Sequence, residues 1–156
     1  MSKLLPDTVH VSVREREPAA VWQLSGDLHL IDDTGAVIRQ VDAYEYADLP
    51  LIVGAGAPGA ASEMLKALQA QPELWRRASA LIRVSDRRWN LKMKSGVDVK
   101  LPETGAADSV AYLARLQAET GVLDEPLVYV DLRNPENFVY RTKDALAMDM
   151  PLGRVR

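Results

Sequence analysis

Apolar and polar side chains alternate in short runs along most of this chain, the period of strands with one buried face. Val9, Val11 and Val13 alternate with His10, Ser12 and Arg14. Ala19–Gln23 and Leu28–Ile31 follow, and Asp32-Asp33-Thr34-Gly35 supplies turn chemistry before Ala36–Gln40, which predicts a hairpin with a short loop. Ala80, Ile82 and Val84 share a face, and Trp89, Leu91 and Met93 form the inner face of the next strand, with Asn90, Lys92 and Lys94 outward. Ser95-Gly96 turns the chain into Val97, Val99 and Leu101. Val128, Val130 and Leu132 alternate again, Asn134-Pro135-Glu136-Asn137 turns, and Phe138–Thr142 closes the series.

Two segments change period. Between Gly59 and Gln71, Met64, Leu65 and Leu68 fall at helical spacing, and Pro72 stops or kinks the run before Leu74-Trp75. Between Ala107 and Thr120, Val110, Leu113 and Leu116 make one apolar stripe, with Thr104 or Asp108 to cap its start and Gly121 its end. Clean in/out alternation argues against a parallel sheet buried on both faces. The pattern predicts an α+β domain: a mainly antiparallel β-sheet with two or three helices packed on one face. Asp144–Arg156 shows no period and is expected to be a loose tail.

At 156 residues, 47% hydrophobic and 26% charged, the chain is long enough for one ordinary core. Its net charge of −3 argues against a dedicated nucleic-acid binder, and the absence of Cys removes disulfides, thiolate chemistry and Cys-ligated metal. The longest charge-free run, Leu49 to Ser62, is too short to span a bilayer and contains Pro50 and Pro58. The charge is uneven. Pro72–Lys100 carries Arg76, Arg77, Arg83, Arg87, Arg88, Lys92, Lys94 and Lys100 against Glu73, Asp86 and Asp98, a basic stretch in an otherwise acidic chain. It reads either as a face for an acidic partner or as solvated helix and strand surface.

Candidate chemistry is sparse. Gly54-Ala55-Gly56-Ala57-Pro58-Gly59 matches G-x-G-x-x-G after Leu51-Ile52-Val53, the form that lets a pyrophosphate approach backbone N–H groups. Pro50 before the strand, and Asp86 lying 27 residues beyond Gly59, weigh for a plain loop entering a helix and against a nucleotide-dependent enzyme. His10 and His29 have no acid at metal-motif spacing, and the serines lack a nucleophile elbow. Asp32 and Asp33 read as turn formers rather than an acid/base pair. The residues thus predict neither a catalytic set, nor a metal, nor a cofactor. Phe138, Val139, Tyr140, Arg141 and Thr142 form the last predicted strand. At a sheet edge its backbone is open to a partner strand, or else it is blunted by Arg141, Lys143 and the tail.

In order, several segments resemble the FtsQ/DivIB family of bacterial cell-division proteins. They are Leu5–Val9 with Arg14–Trp22, Leu30–Ile38, Leu49–Gly54, Arg87–Met93 with Gly96–Pro102, and Tyr129–Pro135 with the closing strand. The resemblance implies residues 1–17 as the last strand of a POTRA-like module, 18–143 as the family's β domain and 144–156 as a tail. It implies a non-enzymatic scaffold in the periplasm, anchored in the inner membrane by a helix ahead of this stretch, which helps assemble septal cell-wall synthesis. It also implies FtsB and FtsL as partners, FtsB adding a strand to Phe138–Thr142, with Arg87 or Arg88 as an arginine contacting the partner. The family's aromatic after Asp-Leu-Arg falls on Asn134 here, and two small residues of its closing strand are Phe138 and Arg141. A POTRA-linked module for outer-membrane or secretion assembly would use the same edge.

Overall fold

A computed structural model describes residues 15–134 and 137–143 and the backbone of 153–155. The strand expected at Val9–Val13, and with it the POTRA-like segment up to residue 14, lies outside the described residues. The elements are β1 (Pro18–Leu24), β2 (Asp27–Asp32), β3 (Val37–Val41), β4 (Leu51–Val53), α1 (Ala57–Gln69), α2 (Pro72–Arg77), β5 (Ala78–Val84), β6 (Arg88–Met93), β7 (Asp98–Lys100), α3 (Ala106–Thr120), β8 (Leu127–Asp131), β9 (Phe138–Thr142) and β10 (Gly153–Val155). They form one sheet in the order β10-β9-β8-β7-β6-β5-β4-β1-β2-β3.

Most pairings are antiparallel, as the alternation predicts. Parallel pairing occurs where β4 meets β1 and β5, and where β7 meets β8. The last two are crossover units, β4–α1–α2–β5 and β7–α3–β8. Both start from strands of the same direction and step the same way across the sheet. Right-handed crossovers therefore put their helices on the same face, and α1 packs on α3 there. Ile52, Met64, Leu65, Leu81, Trp89, Leu91, Val110, Leu113 and Val130 share the resulting core. On the opposite face, the segment after β3 folds back so that Tyr46 and Leu49 pack on Val21, Leu30 and Val41.

Local chemistry sets the ends. Ser25 and Gly26 both take positive φ in the β1–β2 turn, as do Ser85 and Asp86 between β5 and β6, the geometry of tight hairpins. Asp32 forms the expected turn. Its Oδ1 accepts the Thr34 N–H at 2.9 Å, the Thr34 hydroxyl at 2.6 Å and the Ala36 N–H at 3.0 Å. The Thr34 hydroxyl, followed by those backbone donors and Arg16, holds its carboxyl below the ordinary value against the opposing effect of burial. His29 lies beside Trp22, ring centroids 5.4 Å apart. Gly121 ends α3 in the left-handed conformation, its N–H donating to Gln117.

Three expectations shift. The α3 start is capped by Gly105 in the left-handed conformation, not by Thr104 or Asp108, although Asp108 does stand in the first turn. Leu81, paired with Leu91, faces the helices, so the Ala80/Ile82/Val84 set lies on the other face. The phase was masked by Arg83, which shares the core side and stacks over the Trp89 ring at 5.0 Å. In the stretch expected to be a loose tail, residues 153–155 pair antiparallel with β9, so Phe138–Thr142 is not the outermost strand. Residues 144–152 lie outside the described residues.

The glycine motif is occupied by protein. The Gly54 carbonyl accepts the Trp22 indole N–H at 2.8 Å, and a Cβ on Gly56 would stand 2.9 Å from Asp86 Oδ1. A carboxylate there repels a phosphate rather than cradling one. Across the loop, a Cβ on Gly35 would lie 1.9 Å from the Pro58 carbonyl oxygen, so these glycines serve close backbone packing.

Candidate functional site

The two crossovers direct the carboxyl ends of β5, β7 and β8 to one rim of the sheet. The β5–β6 turn there carries Arg87 into β6, which starts with Arg88, and the segment after β7 brings Pro102 and Glu103. Arg87, Arg88, Glu103 and Arg133 line one small pocket of about 190 Å³. Glu103 and Arg133 are shared with a larger groove of about 620 Å³ that continues past Asn134 and Tyr112 to Phe138. Arg87, Arg88, Asn134 and Phe138, far apart in sequence, thus lie along a single continuous rim.

From that rim β9 runs back across the sheet beside β8. Phe138 is 2% exposed. Its ring meets Tyr112 of α3 edge-on at 6.3 Å and stacks on Tyr140 at 5.9 Å. Phe138, Tyr140 and Thr142 therefore share the helix-covered side, where Tyr140 also packs against the core. Val139 and Arg141 point to the other side, opposite Asp131 and Tyr129 of β8.

That open face mixes basic and aromatic groups. Lys100 Nζ sits 4.6 Å from the Tyr129 ring centroid. Asp131 is clasped by Arg133, with Nη2 at 2.6 Å and Nε at 2.9 Å. Burial works to raise the Asp131 carboxyl, but the side-chain and backbone hydrogen bonds from Arg133 outweigh it and hold it below its ordinary value. Arg88 Nε, Asn90 Oδ1 and Arg141 Nε are buried without a hydrogen-bond partner among the described residues. Arg133, Tyr112 and Glu103 were not among the residues singled out in the sequence. Arg133 belongs to the Asp-Leu-Arg segment that carries the resemblance, whereas Tyr112 and Glu103 carried no signal.

The outer edge of β9 pairs with β10, Gly153 opposite Tyr140, Arg154 opposite Val139 and Val155 opposite Phe138. Among the described residues no helix is long and apolar enough to cross a membrane.

Residues 20–133 match the sequence model of the family described as Cell division protein FtsQ/DivIB, C-terminal. FtsQ of Caulobacter vibrioides strain NA1000 / CB15N is 38% identical over 149 residues, 96% of this chain and 49% of that protein. FtsQ of Bradyrhizobium diazoefficiens strain USDA 110 is 36% identical over 145 residues, 93% of this chain and 42% of that protein. The chain thus spans about half the length of these relatives or less. Its fold is similar to the major extracytoplasmic domain of the cell-division protein DivIB from Geobacillus stearothermophilus, with a TM-score of 0.52 at 17% identity over 70% of this chain and 98% of that one. By family match and close relatives alike, the chain belongs to the FtsQ/DivIB cell-division family, as its C-terminal domain.

Proposed function

We propose that this domain is the extracytoplasmic part of a membrane-anchored division scaffold that captures FtsB, and FtsL with it, by strand addition to the outer edge of β9. The observation that carries this reading is the β9–β10 pairing: the outer edge of β9 pairs antiparallel with a later segment of the same chain, and the same donors and acceptors suit a partner segment. Family membership and the extracytoplasmic setting of the DivIB neighbour support the location.

The rim adds direction and specificity. Arg87, Arg88 and Arg133 outnumber Glu103 in their shared pocket, which suits acidic side chains flanking the partner strand and speeds its encounter. Backbone pairing supplies the register. Val139 and Arg141 meet the partner's alternate side chains on one face, Phe138 and Tyr140 on the other. Asn134 stands where the chain enters β9, beside the groove. The role is that of a scaffold, which needs an edge and a charged rim rather than a reacting group.

The test is capture of the extracytoplasmic segment of FtsB by the Tyr140→Pro variant. Proline removes a backbone donor and obstructs pairing, at about 1–3 kcal/mol for the partner group left unpaired, so affinity should fall about ten- to a hundredfold. Circular dichroism establishes that the variant is folded. A folded Tyr140→Pro protein that captures FtsB as tightly as the parent excludes strand addition at β9.

A further inference from the structure

We propose that β10 is an autoinhibitory strand: the chain's own C-terminal residues occupy the partner-accepting edge of β9 and leave it when a partner strand adds. This rests on strand addition at β9, the reading given above. Residues 153–155 hold the position an incoming antiparallel strand would take, with Val155, Arg154 and Gly153 opposite Phe138, Val139 and Tyr140. Two strands cannot share one row of backbone donors and acceptors, so seating of the tail and of the partner exclude each other.

The tail is suited to be displaced. Among the described residues it pairs over three, against five or six in an average strand. Its first residue is glycine, which disfavours strands. Pro151, two positions earlier, has no N–H to give a ladder. Because β10 belongs to the same chain as β9, its pairing is intramolecular and needs less intrinsic strength than that of a free strand. A partner strand that pairs along all of Phe138–Thr142 and brings acidic groups to the arginine rim wins by its greater length and charge. Until it arrives, the tail covers an edge that would otherwise pair with any extended chain. A tail seated nine-tenths of the time weakens the partner's apparent affinity about tenfold.

The chain contains no cysteine, so a single engineered pair is clean. Val139 and Arg154 lie directly opposite, and opposed antiparallel residues have Cα separations of about 4.5–5.5 Å, within disulfide range. In the Val139→Cys/Arg154→Cys protein, oxidation should form an intramolecular crosslink and abolish capture of the FtsB segment, and reductant should restore it. In a separate variant, Val155→Pro, opposite the outward-facing backbone of Phe138, should remove a ladder donor and unseat the tail, tighten capture by about three- to tenfold and speed hydrogen exchange at β9 amides in the absence of partner. Failure to crosslink, or Val155→Pro leaving β9 exchange unchanged, overturns the seated tail while strand addition still stands or falls with Tyr140→Pro. Weaker capture by Val155→Pro overturns the inference in favour of a partner that pairs on β10 itself. A locked protein that binds FtsB undiminished contradicts the inference, and if Tyr140→Pro binds too, strand addition fails with it.

Discussion

The two ends of this sheet protect themselves in different ways. At one end, β3 is guarded by the chain that immediately follows it. Arg39 reaches Glu45 at 3.2 Å and lies over the Tyr46 ring, while Glu45 also accepts the Asp42 N–H at 2.9 Å. Leu49 and Tyr46 pack on Val21, Leu30 and Val41, so this cover is part of a small core. At the other end, among the described residues, β9 is covered by Gly153–Val155 through backbone pairing. Side-chain packing from adjacent sequence covers the face of the sheet beside β3, and among the described residues no strand pairs with its outer edge. Cover by a short, tethered strand leaves the edge open to exchange.

The contrast can be broken most forcefully at Phe138. It is the buried anchor of β9, whereas Val37 on the opposite edge strand is 43% exposed. Phe138→Ala should cost about 3–5 kcal/mol, and Val37→Ala about 0.5 kcal/mol or less, read as shifts in the urea midpoint. Comparable losses at both positions would show that the two edges are anchored alike.

A smaller effect separates the edges by pH. Asp32 holds the turn into β3, and its folded carboxyl titrates below the ordinary value because of the Thr34 hydroxyl first and backbone donors next. A depressed carboxyl contributes stability that is present above its unfolded pKa of about 3.9 and is lost as pH falls through the folded value. Asp32→Ala should therefore destabilise by about 1–3 kcal/mol at neutral pH, with the gap to the parent closing below about pH 4. Equal pH profiles for parent and variant would remove Asp32 from the account. The smallest effect is at Glu45, lowered by the Asp42 N–H first and Arg39 second but lying on the exposed surface. Glu45→Gln should leave thermal stability nearly unchanged and capture of FtsB untouched.

Strands were legible wherever one face is buried beside a polar one, as in Trp89–Met93 and Asp98–Lys100. The parallel pairings were not, because β4 is only Leu51–Val53 behind Pro50 and its neighbours are set by where α1 and α2 return the chain. The β5 phase was misleading because a cation, Arg83, finds an aromatic partner on the core side. Within the site, Arg87 and Arg88 stood out as charge, and Phe138–Thr142 as pattern. Their gathering on one rim with Glu103, Arg133 and Tyr112 depends on two crossovers that no local period encodes. Gly153-Arg154-Val155 is too short to show a period, and only the β9 template makes it a strand.

The most direct test of β9 as the capture edge is photocrosslinking in dividing cells from single sites on each edge, Arg141 on β9 and Gln40 on β3. Capture by strand addition predicts an FtsB adduct from position 141 and none from position 40. An FtsB adduct from position 40 alone would contradict it.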